Sequence, residues 1–358
     1  MTSVAEDLET PCLVVDAPVL DQNLRAMAAS ARSRSLALRP HAKTHKCVEI
    51  ALRQLDLGAT GLTVATVAEA ELFMGAGVTD LFIAYPVWAA GARGNRLRAL
   101  AEQAVIRAGV DSAEGAAVLG RAAAGTELEV LVEVDSGHHR TGVPAEQAGD
   151  VAVAAVRAGL RVSGVFTFPG HGYQPGAPPR AASDEARTLE QAAIALRRAG
   201  VDVKVRSGGS TPTAAGAHQD VLNEIRPGVY AFNDAQQVEL GTCGFDDVAL
   251  TAAATVVSRS GRQVVLDAGS KVLGADRPAW TTGAGRLVDH PGARVTALSE
   301  HHATVVFPHG DPLPGLGTTL RVAPNHVCAA VNLADELIIT ADGTIVDRWV
   351  VAGRGANT

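Results

Sequence analysis

The sequence predicts an α/β protein with an N-terminal (β/α)8 barrel of the TIM type and a C-terminal, mainly antiparallel β domain. Over residues 10–245, short apolar runs alternate with longer amphipathic segments, as in repeated βα units around a parallel sheet. Several of these runs end in polar or glycine-rich residues, and barrel enzymes carry their working groups at strand carboxyl ends. Over residues 246–358 the runs are β-like with few helices between them, and residues 1–9 are assigned to this second domain.

Each element follows from its own periodicity. Alternating or continuous apolar runs predict eight barrel strands, at 36–40, 61–65, 80–84, 105–110, 128–135, 162–168, 201–206 and 224–231. Segments that mix Ala and Leu with charged residues predict helices between them, including 18–34, 67–76, 146–158 and 183–199. The second domain is expected to contain strands at 249–258, 262–267, 293–298, 303–307, 318–323 and 336–340, followed by a loose tail at 353–358.

Composition excludes several classes of protein. The net charge of -7, from 31 Lys and Arg against 38 Asp and Glu, argues against a nucleic-acid-binding surface. The N-terminus lacks the regions of a signal peptide and no apolar run reaches bilayer length, so we expect a cytoplasmic protein that does not bind membranes. The 4 Cys residues show no CxxC spacing, which predicts reduced thiols rather than disulfides or a zinc finger.

The segment 39–46 carries two lysines and two histidines at the end of an apolar strand. Alternation along that strand predicts that Arg39, His41 and Lys43 share one face. A lysine in a partly desolvated pocket beside other cations loses its proton readily, so one of these lysines is a candidate for a Schiff base. The alternative is a solvated basic loop or a patch that steers phosphates.

A glycine-rich loop follows the seventh barrel strand and is a candidate phosphate site. Small residues there let backbone N–H groups and hydroxyls approach a phosphate, and late barrel loops are the usual place for one. The candidates are Ser207, Gly208, Gly209, Ser210 and Thr211, with Gly228 and Tyr230 from the next strand. The alternative is an ordinary turn.

His326 and Cys328 form a His-x-Cys pair in the second domain. On an extended strand both side chains project to one face and can chelate one metal ion, for which zinc is the leading candidate and manganese or magnesium are alternatives. Two ligands leave positions open, as in a catalytic metal site. The alternative is an accidental pair. His301 and His302 are expected to be surface residues, and Arg140 either binds an anionic cofactor oxygen or pairs with nearby acids.

Together these stretches resemble one family. The segments 10–16, 39–46, 133–135 with 142–143, 267–269 and 324–328, in this order, resemble the fold-type III pyridoxal-phosphate family of D-serine dehydratases and D-threonine aldolases, relatives of alanine racemase. The resemblance implies an alanine racemase-like fold and pyridoxal 5'-phosphate bound to Lys43. It also implies Arg140 near the phenolate oxygen of the cofactor, and the phosphate within the glycine-rich loop.

The resemblance further implies that His171 and Tyr173 line the pocket and that His326 and Cys328 hold a divalent metal beside the substrate hydroxyl. Cys328 stands where the aldolases have Asp and agrees with the zinc-dependent dehydratases. The predicted function is therefore a lyase of D-3-hydroxy amino acids, of the D-serine dehydratase type. D-Threonine aldolase activity is the first alternative and amino-acid racemisation the second, with Tyr173 as a possible second acid/base. By analogy we expect a homodimer.

Overall fold

The computed structural model describes residues 8–358, and the chain divides into two compact units. The barrel unit comprises Met27–Lys43, Ile50–Gly228 and Ala356–Thr358. The sheet unit comprises the described residues up to Ala26, together with Thr44–Glu49 and Val229–Gly355. The chain therefore passes between the units several times, whereas the sequence predicts one boundary near residue 245. The predicted placement of residues 1–7 lies outside the described residues.

The barrel unit contains eight parallel strands among its described residues. They are β2 (Ala37–Leu38), β3 (Leu62–Val64), β4 (Asp80–Pro86), β5 (Val105–Val110), β6 (Glu129–Glu133), β7 (Arg161–Phe166), β8 (Val205–Gly208) and β9 (Glu224–Ile225). Their order is β2-β9-β8-β7-β6-β5-β4-β3, and a parallel bridge between His41 and Thr63 joins its two ends. The predicted barrel is confirmed, and all eight predicted strands are present.

Helices alternate with these strands. They are α1 (Ala17–Ser33), α2 (Val48–Asp56), α3 (Val67–Gly75), α4 (Ala92–Ala101), α5 (Ala113–Ala122), α6 (Ala148–Arg157) and α7 (Pro178–Arg198), with the short α8 (Ala235–Leu240), α9 (Ser270–Leu273) and α10 (Val327–Val331) later in the chain. Hydroxyl N-caps begin two of them, because Thr66 accepts the N–H of Glu69 and Ser112 accepts that of Gly115. No helix within residues 8–358 is long and apolar enough to cross a membrane.

The sheet unit is built on one mainly antiparallel sheet. Its strands are β1 (Cys12–Asp16), β10 (Leu250–Ser260), β11 (Gln263–Leu266), β12 (Arg286–Leu287), β13 (Arg294–Leu298), β14 (Ala303–Val306), β15 (Thr319–Ala323), β16 (Glu336–Ala341) and β17 (Thr344–Val350). The first strand of the described chain lies inside this sheet, antiparallel to β10 and parallel to β16. Three strands of this sheet, β1, β12 and β17, were not predicted. Strand β12 has only two residues, and β17 contains the exposed charged pair Asp347 and Arg348.

The predicted shared face of Arg39, His41 and Lys43 is wrong. Strand β2 ends at Leu38, and the chain then enters a 3-10 turn over Ala42–Thr44, so the two-residue alternation stops before Lys43. Arg39 is only 2% exposed. Its guanidinium is held by Glu224 (Nε to Oε2, 2.8 Å) and by Asp80 (Nη1 to Oδ1, 2.8 Å). A buried cation needs such partners, and they turn Arg39 into the barrel.

The C-terminal residues are ordered, in contrast to the predicted loose tail. Within the barrel unit, the hydroxyl of Thr66 donates to the carbonyl of Ala356 (2.8 Å), and the N–H of Ala68 donates to the carbonyl of Thr358 (2.9 Å). The first N–H groups of a helix lack partners inside the helix. The end of the chain supplies one at α3, and no sequence periodicity indicates such a contact.

A buried carboxyl group on α7 supports the end of β8. Glu185 Oε1 accepts the N–H of Gly209 (2.6 Å), while its Oε2 is buried without a hydrogen-bond partner in the described structure. A Cβ on Gly208 would lie 2.3 Å from Glu185 Oε1, so glycine is required there. Burial raises the pKa of Glu185 to about 7.

We predict that Gly120→Ala destabilises the protein whereas Gly75→Ala does not. A Cβ on the buried Gly120 of α5 would lie 2.2 Å from the carbonyl oxygen of Ala158, and backbone cannot move aside cheaply. Overpacking of this kind costs about 1–3 kcal/mol. A Cβ on the exposed Gly75 of α3 meets no atom within 4 Å, and alanine is the better helix former. Urea unfolding midpoints measure both effects, and equal midpoints for the two variants would contradict the packing described here.

We also predict that Glu185→Gln reduces the pH dependence of stability. Between pH 4.5, the ordinary glutamate value, and about 7, the folded protein keeps a proton on Glu185 that the unfolded chain has lost. The free energy of unfolding therefore falls as pH rises through this window, and the loss is complete above about pH 7. From pH 4 to pH 8, the unfolding midpoint of Glu185→Gln should fall less than that of wild type. Glu190→Gln, on the exposed side of the same helix, is the control and should follow wild type.

Candidate active site and metal pair

Lys43 lies just past the carboxyl end of β2, in the 3-10 turn Ala42–Thr44. Its side chain is half-buried, and within residues 8–358 its amine has no hydrogen-bond or ion-pair partner. Lys46 differs, because it is buried and its Nζ donates to Asn332 Oδ1 (2.7 Å). Of the two candidate lysines, Lys43 therefore has the amine that is available to react with an aldehyde.

Glu133 ends β6 inside the barrel. It is buried, its Oε1 accepts the hydroxyl of Thr141 (2.9 Å), and its Oε2 has no hydrogen-bond partner in the described structure. Burial raises the pKa of Glu133 to about 7. Arg140, from the following loop, lines the same pocket together with Thr167 and Phe168. A buried carboxyl group with an unused oxygen and an exposed guanidinium thus converge at the carboxyl ends of β6 and β7.

An aromatic cluster lies beside these groups. The guanidinium of Arg140 lies 5.2 Å from the ring centroid of Phe168, and the ring of Tyr173 lies 6.2 Å from the same ring. His171 belongs to a 3-10 turn over Gly170–Gly172, where its Nε2 is 3.6 Å from Asp184 Oδ2. The structure therefore brings Arg140 and Tyr173 to one aromatic ring, with His171 two residues from Tyr173 along the chain.

Arg226 is a further charged group at this end of the barrel, and the sequence analysis did not identify it. Its buried guanidinium donates to the hydroxyl of Ser207 and to the carbonyl of Thr167 (2.7 Å). It also lies over the rings of Phe82 and Phe166, at 5.5 and 5.3 Å from their centroids. Burial lowers the pKa of Arg226. The available signal was an arginine between the apolar Ile225 and Pro227 near the start of the predicted strand 224–231.

Three members of the predicted phosphate cradle are hydrogen-bonded within the protein. The hydroxyl of Ser207 donates to Glu224 Oε1 (2.6 Å) while it accepts from Arg226, so it faces the barrel interior. The N–H of Gly209 is bound by Glu185, and that of Ser210 by the hydroxyl of Thr213 (2.9 Å). The hydroxyl of Ser207 and the N–H groups of Gly209 and Ser210 therefore have partners inside the protein, and their part in a phosphate site stays a prediction.

The rest of the predicted cradle falls into two groups. Gly208 is buried against Glu185, and Tyr230 is buried in a 3-10 turn over Val229–Ala231 in the sheet unit. Thr211 and Gly228 are partly exposed at the ends of β8 and β9. Their part in a phosphate site also stays a prediction.

His326 and Cys328 lie at the start of α10, whereas the sequence predicts that they lie on an extended strand. His326 is the N-cap residue and Cys328 lies in the first turn, yet the two side chains are hydrogen-bonded to each other. The negative charge of Cys328 and the contact with Asp276 raise the pKa of His326 to about 10. Cys328 Sγ also lies 3.3 Å from the hydroxyl oxygen of Thr44, the residue that follows Lys43 in the chain.

The donor set of this pair suits a zinc ion. A thiolate and an imidazole nitrogen are the ligands that zinc prefers, and only two protein ligands leave the other positions open for water or substrate. His301 and His302 are exposed, as predicted. The described residues contain no group of three or more His, Cys, Asp or Glu side chains that could hold a metal ion.

Comparison with known protein families gives two matches along the chain. Residues 15–236 match the alanine racemase N-terminal domain family. Residues 249–340 match a family described as a putative serine dehydratase domain. The two matches follow one another in the order that the barrel and the later β strands have in the sequence.

Three curated relatives are similar over nearly the whole chain. The D-threonine aldolase of Arthrobacter sp. is 36% identical over 367 residues, which cover 97% of this chain and 93% of the relative. The D-threo-3-hydroxyaspartate dehydratase of Delftia sp. is 34% identical over 368 residues, covering 94% and 96%. The D-serine dehydratase of Dictyostelium discoideum is 27% identical over 386 residues, covering 96% of each chain.

Two solved structures of D-threo-3-hydroxyaspartate dehydratase mutants also match, each with a TM-score of 0.88 and 32% sequence identity. They cover 96% of this chain and 95% and 97% of their own. One carries alanine in place of a histidine, and the other carries alanine in place of a cysteine two positions later and is described as metal-free. By these matches in sequence and structure, the chain belongs to the fold-type III pyridoxal-phosphate-dependent family of D-serine dehydratases and D-threonine aldolases.

Proposed function

We propose that this protein is a pyridoxal-phosphate- and metal-dependent lyase that dehydrates D-3-hydroxy amino acids to a 2-keto acid and ammonia. The observation that carries the proposal is the contact between His326 and Cys328. The same pair of residue types, at the same spacing, is the one replaced in the solved dehydratase mutants. The substrates to test first are D-3-hydroxyaspartate and D-serine, since dehydratases named for both are relatives.

The residues at the barrel mouth fit a pyridoxal phosphate. Lys43 has a half-buried amine for the aldehyde, Arg140 has an exposed guanidinium for an anionic oxygen, and Thr211 and Gly228 are accessible for the phosphate. Glu133 adds a buried oxygen without a partner in the described structure. When bound, this cofactor supplies an electron sink for negative charge at the α-carbon of an amino acid.

His326 and Cys328 would hold a divalent ion, whose contribution is Lewis acidity toward a hydroxyl oxygen. Lys43 has two tasks in this scheme. Its Nζ would hold the aldehyde of the cofactor, and as a neutral amine it would accept the proton of the substrate α-carbon. The 3-hydroxyl leaves with the electron pair of its bond to carbon. The enamine released afterwards takes up water and loses ammonia, which yields the 2-keto acid.

Retro-aldol cleavage is the second candidate, and the similarity to D-threonine aldolase favours it. There the 3-hydroxyl loses its proton and the bond between the α- and β-carbons breaks, giving glycine and an aldehyde. We rank it second because position 328 is a cysteine. Racemisation is third, since it needs another acid/base, for which Tyr173 beside Phe168 is the candidate.

We predict that the purified protein releases pyruvate and ammonia from D-serine and oxaloacetate and ammonia from D-3-hydroxyaspartate. Chelation should lower both rates, and added zinc, manganese or magnesium should restore them. The rate of Cys328→Ser should match that of the chelated wild type. The control is Cys243→Ser, which replaces a partly buried thiol of the same unit and should keep the wild-type rate. Glycine and acetaldehyde from D-threonine as the main products would reverse the order of the first two candidates. If chelation leaves activity unchanged and the enantiomer of the substrate is formed, the result would support racemisation.

We predict that Lys43→Ala abolishes the visible absorbance of lysine-bound pyridoxal phosphate. Borohydride reduction of wild type followed by peptide mass spectrometry should place the label on Lys43. Lys204→Ala, which removes an exposed lysine from the same unit, should keep the absorbance. A persistent band in Lys43→Ala, with the label on Lys46, would move the Schiff base to that residue.

A further inference from the structure

We infer that Asp276 is a positioning residue for the metal pair, because it orients the ring of His326 for metal binding. Asp276 Oδ2 lies 2.5 Å from His326 Nδ1, although the two residues are 50 positions apart in the chain. An ionised carboxylate only accepts hydrogen bonds, so Nδ1–H is the donor. The inference rests on the metal centre of the proposed function and adds a residue to it.

The hydrogen bond determines which nitrogen faces a metal ion. With Nδ1–H donated to Asp276, Nε2 is the ring nitrogen that would bind the metal, which takes the place of the Nε2 proton. A carboxylate on the far side of the ring also makes the histidine a stronger ligand. Cys328, which is hydrogen-bonded to the same ring, supplies the second ligand.

The backbone around the pair is held from both sides. Asn325, which is 3% exposed, donates through Nδ2 to the carbonyls of Asp276 (3.1 Å) and Gly283 (2.9 Å). The residue before His326 therefore fixes the loop that carries Asp276. On the other side, the N–H of Val327 donates to Asp234 Oδ2 (3.1 Å), while Asp234 Oδ1 caps α8 at Gln237. The imidazole and the carboxylate are thus brought together before any metal binds.

Stability alone does not explain this arrangement. The side chains of His326 and Asp276 are 37% and 52% exposed, and exposed ion pairs contribute roughly 0–1 kcal/mol. The exposure instead leaves the ring accessible to an ion from solvent. A preorganised histidine with one nitrogen engaged and the other reachable is the arrangement expected of a metal ligand.

The test is the zinc affinity of the full-length protein, measured by competition with a chromophoric chelator. Asp276→Asn keeps an oxygen acceptor and removes the charge, and Asp276→Ala removes both. Loss of such a carboxylate weakens metal binding by about 10–100-fold, so we expect Asn near the lower end and Ala near the upper end. Asp289→Asn is the control, because Asp289 is a partly exposed carboxylate of the same unit paired with Arg321 (2.6 Å), and its zinc affinity should equal that of wild type.

Two further readouts separate positioning from a structural role. The cobalt-substituted protein should keep its thiolate-to-metal absorption in Asp276→Asn at saturating cobalt, since Cys328 still binds. The thermal midpoint of the metal-free protein should be the same in wild type and Asp276→Asn. Wild-type zinc affinity in Asp276→Ala would overturn the inference and leave the proposed function intact. No binding of zinc, manganese or magnesium by wild type would overturn both.

Discussion

The pairing of charges inside the barrel is the constraint on which the rest of the structure depends. Arg39 is buried, and it is tolerated only because Glu224 and Asp80 accept its hydrogen bonds. This pairing turns Arg39 inward, so the strand alternation ends and the chain enters the turn that carries Lys43. Arg226 obeys the same rule with Ser207 and Thr167 as partners. Two cations of the basic segment 39–46 thus differ in place: Arg39 lies in the core, and Lys43 lies at the candidate active site.

The same constraint decides which polar groups remain for chemistry. The hydroxyl of Ser207 binds Glu224, and the N–H groups of Gly209 and Ser210 bind Glu185 and Thr213, so these groups contribute to the stability of the fold. Lys43 and one oxygen of Glu133 keep unused hydrogen-bonding capacity in the described structure. Groups left in this state at the mouth of a barrel are candidates for ligand binding, because the fold does not use them.

The family relationship spans two reactions that break different bonds of the same kind of substrate. Both need a carbanion-stabilising cofactor and a group that acts on the 3-hydroxyl. In the proposed function the second group is held by His326 and Cys328. Asp276, Asn325 and Asp234 hydrogen-bond this pair or its backbone within the sheet unit. Which bond breaks depends on how the substrate is oriented, and the residue types at the metal are the feature of this chain that favours dehydration.

The sequence by itself determined the barrel, its eight strands, most later strands and the family. These features depend on local periodicity and on short motifs, in which the interacting residues are neighbours in the chain. Only the tertiary structure decided the partners of Ser207, Gly209 and Arg39, the ordered C-terminus and the contact of Asp276 with His326, since each depends on a residue that is distant in sequence. The position of β1 within the later sheet is of the same kind. A hydrogen bond between remote residues leaves no periodic trace, so it becomes visible only when the chain is folded.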